Sequence, residues 1–375
     1  MDWLDWILLV ARVLIVFVAL LLILLIEIWF ERKWIADLQT RKGPMRAGPR
    51  GILITLADGL KVFFKEGITP TNAEMPLFVF APALAVIPAF LTFAVIPFGP
   101  TIEVFGREVP MQVADLNIGV LWLAATASIG VYAIVLAGWS SGSNYPLLGG
   151  VRASAQMISY EVGMSLAFVA VVMYSGTLSL NEVVASQDRI WNVIPQLPAF
   201  LIYFVCALAE TNRPPFDLAE AESELVAGFQ TEYSGMRFAM FYLAEYLNAF
   251  TVCAIATTLF LGGWRGPAPD LLTPLWPVLW FLAKVFALFY VMVWIRGTLP
   301  RVRYDRLMNF GWKVLIPLGL VWVMLTGAVV VLPEEFDLRR GNILTIAAIA
   351  AAVIIVLSLV WPAREDRTSE EVGRR

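Results

Sequence analysis

Residues Ile7–Phe30 read ILLVARVLIVFVALLLILLIEIWF, and this stretch decides the fold. A helix that crosses a bilayer needs about 20 mostly apolar residues, and this run is long enough. Runs of the same kind recur at Leu77–Phe98, Ile118–Trp139, Ala153–Tyr174, Ile194–Glu210, Phe238–Leu261, Leu275–Ile295, Trp312–Leu332 and Ile343–Trp361. The fifth, Ile194–Glu210, is the shortest. The chain therefore reads as an all-α polytopic membrane helix bundle of about nine spans, a single membrane domain over residues 1–375 with no second soluble domain and no internal repeat. Composition agrees: 375 residues are 59% hydrophobic and only 15% charged, with a mean hydropathy of +0.76, whereas soluble domains carry about 25% charged residues. The first run is too long for a signal-peptide core and lacks a basic start and a small-residue cleavage site, so it is expected to be a retained helix.

Nine spans place the two termini on opposite sides, and lysine and arginine decide which side is which. With the N-terminus outside, the inner segments hold 20 Lys and Arg and the outer segments five, Arg107, Arg189, Arg265, Arg339 and Arg340. The expected topology is N-terminus outside, C-terminus cytoplasmic. The charged tail 362–375 is expected to be disordered.

A formal net charge of −3 supplies no basic footprint, which excludes nucleic acid as a partner. No histidine is present, and the cysteines number two, Cys206 and Cys253. Histidine is the commonest ligand for zinc, copper and haem, and iron–sulfur clusters usually take four cysteines. The expectation is a chain that binds no metal, haem, flavin or iron–sulfur cluster, with any electrons supplied by a partner.

The polar loops all face the cytoplasm in this topology. The first, 31–75, contains Gly43-Pro44 and Gly48-Pro49, so its first part cannot be one helix. Over Gly51–Gly67, Leu53, Leu56, Leu60, Phe63 and Phe64 share one helical face, and Asp58, Lys61 and Lys65 lie on another. This pattern predicts an amphipathic helix on the membrane surface, either structural or lining a pocket for an amphipathic ligand. The second loop, 210–237, is acidic, with Glu210, Asp217, Glu220, Glu222, Glu224 and Glu232 against Arg213 and Arg237. Pro214-Pro215 stops one helix, and Asp217 with Glu220 fits a capping box for the next. Glu220 and Glu224, four residues apart, share a face and repel, whereas Glu222 points elsewhere. Such clustering suits groups that take up and release protons; the plainer reading is a solvated acidic loop. A third loop, 296–313, carries Arg296, Arg301, Arg303, Asp305 and Arg306, cations suited to pairing with the acidic loop or docking a soluble partner.

Ionisable groups inside spans are expensive and by default functional. Glu161 lies about 8 residues into the fourth span, roughly 12 Å from its inner end, and Glu245 about 7 residues into the sixth, roughly 10 Å deep. Lys284 lies about 9 residues into the seventh from the outer side, roughly 13 Å down. Arg12, near the outer end of the first span, can snorkel and is assigned no role. With Glu210 and Glu220–Glu224 below them, Glu161 and Glu245 form a ladder of carboxylates rising from the inner surface, with Lys284 as a next step. The plainer reading is internal pairing for helix packing. No carboxylate stands in the outer half of the spans, so the ladder is not a complete transmembrane wire.

Four stretches carry a resemblance. They are Glu31-Arg32-Lys33 with Gln39–Pro44 and Ala57–Lys61; Gly138–Ser141 through Arg152–Gln156 to Ser159-Tyr160-Glu161; Ala209–Arg213 with Pro215–Asp217 and Glu220–Val226; and Pro300–Met308. Together, over about residues 27–317, they resemble the H subunit of complex I, the quinone-site membrane subunit of bacterial NADH:quinone oxidoreductase. The resemblance implies a core of eight helices, here with a ninth at the C-terminus, in a bacterial cytoplasmic membrane. It implies a tunnel for a quinone, ubiquinone or menaquinone, as substrate, with Arg32, Arg41, Asp58 and Lys61 on its path. It implies proton or charge coupling through Tyr160, Glu161, Glu210, Asp217, Glu220, Glu222, Glu224, Glu245 and Lys284, and an inner basic group of Arg213, Arg296, Arg301, Arg303 and Asp305. Its partners would be the peripheral quinone-site and iron–sulfur subunits, small membrane subunits, antiporter-like subunits and the lipid bilayer. Some relatives place a carboxylate in the third span; Thr126, Ala127 and Ser128 stand there, so no proton role is carried onto them. The family usually has Gln after the Tyr-Asp pair, where this chain has Arg306.

Other readings are a homologous subunit of a membrane-bound hydrogenase or of a ferredoxin- or F420-linked dehydrogenase, an independent ion transporter, and a passive anchor. Transporters usually show repeat halves with broken helices at the midplane, and buried Glu161, Glu245 and Lys284 argue against an anchor.

Overall fold

The computed structural model describes residues 3–104, 106–218, 225–267 and 275–336. The first helix, α1 (Trp3–Leu38), is apolar around most of its circumference. Its buried positions in the second half, Leu20, Leu24, Glu27, Ile28 and Glu31, recur every three or four residues and form one stripe. The opposite face leaves Ile7, Leu14, Ile15, Val18 and Leu22 exposed, as a lipid-facing surface requires. The helix runs eight residues beyond the expected end at Phe30, because nothing between Glu31 and Leu38 breaks it. Glu31 and Arg32 therefore stand on a helix and not in the first loop.

After the glycine–proline turns comes the short α2 (Ile54–Phe63), within the expected surface helix. Thr55 Oγ1 donates to the Leu25 carbonyl (3.1 Å), and Trp29 Nε1 donates to the Arg50 carbonyl (3.1 Å), tying this segment to α1. Its apolar face is bare: Leu56, Leu60, Phe63 and Phe64 are all exposed.

Next come α3 (Met75–Thr92), α4 (Gly119–Ser140) and α5 (Asn144–Ser175). Pro82 and Pro88 interrupt the hydrogen-bond ladder of α3. Thr92 Oγ1 donates to the Pro88 carbonyl (2.8 Å) and meets Thr126 Oγ1 on α4 at 3.0 Å. The α4–α5 corner is built on small residues. A Cβ on Gly138 would lie 2.6 Å from the Pro146 carbonyl oxygen, and one on Gly149 2.8 Å from the Gly228 Cα. Close backbone approach of this kind packs helices within lipid. It lets α5 start at Asn144, nine residues before the expected Ala153. The connection between α3 and α4 holds a two-stranded antiparallel hairpin, β1 (Ile102–Val104) and β2 (Arg107–Val109), which sequence periodicity did not predict.

The remaining helices are α6 (Leu180–Ser186), α7 (Leu197–Glu210), α8 (Met236–Phe260), α9 (Trp276–Thr298), α10 (Tyr304–Phe310) and α11 (Ile316–Phe336). A π-helical turn, Gly311–Leu315, joins the last two. From Ala249 to Phe260 every residue of α8 is buried, so α8 is the central post of the bundle. Among the described residues seven helices are long and apolar enough to cross a membrane, and α7 is a shorter apolar helix of 14 residues. They coincide with the first eight expected spans. The ninth, Ile343–Trp361, and the tail 362–375 lie outside the described residues. The chain divides into two compact units, Met1–Val323 and Met324–Arg375, with the boundary inside α11.

Candidate functional site

The stripe on α1 brings two carboxylates into the bundle. Glu31, 2% exposed, accepts a hydrogen bond from Arg213 Nη1 at 3.1 Å and a second from Arg296 Nη1 at the end of α9. Arg213, 3% exposed, follows α7 directly and precedes the Pro214–Pro215 pair. Its Nε lies 3.8 Å from Glu245 on α8. Its guanidinium stacks 4.4 Å from the Tyr246 ring centroid and 5.5 Å from that of Phe289. Burial works against the Arg213 charge, and the negative charges of Glu31 first, then of Glu245 and Glu27, overcome it and hold the guanidinium protonated. Arg213 and Arg296, two of the expected inner basic group, are thus the structural partners of Glu31.

One residue beyond Glu31 the polar path reaches the surface. Arg32 Nη1 donates to Asp58 Oδ2 at 2.7 Å, and Lys61 Nζ donates to Asp58 Oδ1 at 3.4 Å. Partial burial raises the Asp58 pKa, but Arg32 and then Lys61 lower it more, so the carboxyl is held below its ordinary value. Arg41 stands apart from this pair and donates to Gln39 Oε1 at 2.8 Å.

Glu161 is elsewhere. Ser128 Oγ on α4 donates to its Oε1, and Glu210 at the end of α7 is close enough for the two charges to repel. Nothing in the sequence assigns Ser128 a role, yet it is a hydrogen-bond partner of this carboxylate. Gln156, one turn earlier on α5, donates from Nε2 to the carbonyls of Ala209 (2.7 Å) and Phe216 (2.8 Å) and so fixes the chain on both sides of Arg213. Tyr160 is buried and donates to the Leu307 carbonyl at 2.9 Å. An internal cavity of about 90 Å³ has Glu210 and Glu245 among its lining, with Thr126, Asn248 and Thr251 as further polar members. That volume admits several waters.

Lys284 is held by the connection that follows α8. Its Nζ donates to the carbonyls of Leu261 (2.7 Å), Gly263 (3.0 Å) and Arg265 (2.6 Å) and lies 4.6 Å from the Trp191 ring centroid. Arg303 and Asp305 form an exposed pair at 3.1 Å, and Arg301 is exposed beside them. Asp217 is half-buried after Phe216. Glu220, Glu222 and Glu224 lie outside the described residues. Among the described residues no group of three or more His, Cys, Asp or Glu is placed to hold a metal ion, and Cys206 and Cys253 are free and buried.

The residue that sequence reasoning missed is Glu27. It is fully buried, one helical turn before Glu31 on the same stripe. The signal was available, since a carboxylate inside the first span is as costly as one inside the fourth or sixth.

Buried arginine–carboxylate pairing inside a multi-span bundle, next to a surface ion pair beside an amphipathic helix, defines a membrane protein that keeps ionised side chains within its apolar helices. The profile of the NADH dehydrogenase family matches residues 11–327, and the chain belongs to that family. It is 50% identical to the H subunit of the NADH-quinone oxidoreductase of Frankia casuarinae, over 99% of this chain and 83% of the relative. The same figures hold for the corresponding NADH-quinone oxidoreductase protein of Frankia alni. These matches support a membrane subunit of complex I.

Proposed function

We propose that this chain forms the quinone access tunnel of a proton-pumping NADH:quinone oxidoreductase and couples quinone reduction to proton translocation. In this reading it acts only within the assembled complex, in a bacterial cytoplasmic membrane, with the N-terminus outside and the C-terminus cytoplasmic. The observation that carries the reading is the pair of ionic clusters that meet at the neighbouring residues Glu31 and Arg32, one at the surface with Asp58 and Lys61, the other inside with Arg213, Arg296 and Glu245. The exposed apolar face of α2 offers a bed for an isoprenoid tail, and Arg32, Asp58 and Lys61 flank the passage of the headgroup, with Arg41 farther out on the same loop. A change in quinone charge near Arg213 and Arg296 is felt by Glu31 and Glu245 through low-dielectric surroundings. From there the cavity between Glu245 and Glu210 leads toward Glu161. Lys284, at the outer end, would answer to that charge at a distance. Tyr160 and Asp217 position the acidic loop whose Glu220, Glu222 and Glu224 continue the ladder, and Arg301, Arg303 and Asp305 face the peripheral iron–sulfur subunits. Electrons come from those partners; this chain holds no electron carrier in this reading.

Two sets of variants test this. Asp58→Ala in the assembled complex should lower quinone reduction while leaving electron transfer from NADH to a hydrophilic acceptor intact, because that reaction bypasses the tunnel. Glu161→Gln and Glu245→Gln should lower proton pumping, with reduction falling alongside if coupling is tight. Wild-type reduction and a wild-type proton-to-electron ratio in both assembled Gln variants would remove those two residues from the coupling path.

A further inference from the structure

Glu27 sits at the centre of a charge count that does not balance as written. The groups that act on it are Arg213, Glu31 and Glu245, and Arg296 completes the set through Glu31. Among the described residues, three carboxylates therefore face two guanidiniums, with Glu27, Glu31 and Arg213 all buried. Arginine does not give up its proton in proteins, so the imbalance falls on a carboxyl. Glu31 takes hydrogen bonds from both arginines and Glu245 faces the Arg213 Nε. Glu27 alone has nothing: among the described residues no group donates to its Oε1 or its Oε2. An ionised carboxylate only accepts hydrogen bonds, and burying one without donors is far costlier than burying the neutral acid. With one proton on Glu27, Glu31 and Glu245 balance Arg213 and Arg296.

We infer that Glu27 is a proton-storing residue: it holds one proton in the resting protein and exchanges it with the Glu31–Glu245 side of the cluster. In the exchange the O–H bond of Glu27 breaks, a new O–H bond forms on the Glu31 or Glu245 carboxylate, and the negative charge moves to Glu27. No electron moves, and the charge of the cluster is unchanged until a proton leaves it. The i, i+4 spacing on α1 puts Glu27 and Glu31 about 5–6 Å apart at their Cβ atoms, one turn along the axis. A titration of this cluster involves Glu31 on α1, Glu245, Tyr242, Tyr246 and Cys253 on α8, Arg213 after α7 and Arg296 on α9. The exchange half of the inference rests on the coupling proposed above; the stored proton does not.

Infrared difference spectroscopy of the assembled complex, in H2O and D2O, tests both halves with Glu27→Gln and Glu27→Asp. The neutral amide matches the shape and charge of the protonated acid. Glu27→Gln should lose one deuterium-sensitive carboxylic acid C=O band, and Glu27→Asp should shift that band. A band unchanged in both variants would show that Glu27 is ionised at rest and would overturn the inference, whatever Glu161 and Glu245 do. If Glu27 also exchanges its proton, Glu27→Gln should lower coupled quinone reduction several-fold at unchanged NADH oxidation by a hydrophilic acceptor, with partial recovery in Glu27→Asp. Loss of the band with wild-type coupled turnover would leave a structural acid only and overturn the exchange. Loss of coupling in Glu161→Gln with the Glu27 band intact would separate the two pathways.

Discussion

Removing the Arg213 guanidinium while keeping its bulk, as in Arg213→Met, is the sharpest perturbation of the buried cluster. Arg213 and Glu31 are 3% and 2% exposed and 3.1 Å apart, so neither is solvated when the other is removed. Breaking a buried pair by removing one partner costs about 3–5 kcal/mol. Arg296 still pairs with Glu31, which places the expected loss at the lower end, about 3 kcal/mol, or roughly two powers of ten in the folded-to-unfolded ratio. Two further contacts go with it, the stacking on Tyr246 and the approach to Glu245. Arg213→Lys keeps the charge but not the planar fork and should fall between the two. The informative variant is the double one. In Arg213→Met with Glu31→Gln the carboxylate that lost one of its two cations is itself neutral, so the double variant should lose less than the sum of the two single variants. The assay is the fraction of this chain found in the intact complex on native gels, with the thermal midpoint of the detergent-solubilised complex as a second measure. Additive losses in the double variant would refute the pairing of Arg213 with Glu31.

Three other outcomes follow from particular contacts. Gly149→Ala should cost about 1–3 kcal/mol through overpacking, since the new Cβ would meet the Gly228 backbone at 2.8 Å; a thermal midpoint equal to wild type would show that the two backbones are not in contact. The Arg32–Asp58 tie should be indifferent to pH near neutrality: the Asp58 pKa is lowered from 3.8 in the folded chain, so the tie's contribution is present above that value and lost as pH falls through the lower, folded one. Amide exchange over residues 54–63, corrected for intrinsic rate, should be flat from about pH 5 to 8 and rise in Asp58→Asn; a rise near pH 6 in the wild type would point to another group. The topology is read by placing single cysteines at Ser143 and Ser369, against a low background because Cys206 and Cys253 are buried. Both should be labelled only from the cytoplasmic side, and labelling of Ser369→Cys from outside sealed cells would remove the ninth span.

The spans were legible because run length is a local property. Nine apolar stretches are visible in the sequence, and a described helix stands on each of the first eight. Boundaries were less so where the chain stays helical without being apolar. Glu31–Leu38 and Asn144–Arg152 are polar enough to look like loop, yet the first contains no helix breaker; in the second, Pro146 falls in the first turn of α5, where proline is tolerated, and Gly149 and Gly150 stay helical against closely packed backbone. The hairpin after α3 was invisible because strands of three residues are too short for alternation to register.

The polar site divides along a different line. Depth in the membrane can be counted from the sequence, but the direction in which a side chain points around its helix depends on what packs there. Matched depths for Glu161 and Glu245 suggested that the two stand side by side. Their partners differ instead. Glu245 faces Arg213, whereas Glu161 takes its hydrogen bond from Ser128 on α4. The ladder is two groups. One is arginine-bound around Glu31; the other contains Glu161 and Glu210 without a basic partner among the described contacts. One residue of each group, Glu245 and Glu210, lines the same cavity. In the proposed coupling a proton passing between the groups would cross that cavity, whose lining includes Thr126, Asn248 and Thr251, residues that no depth count would have singled out.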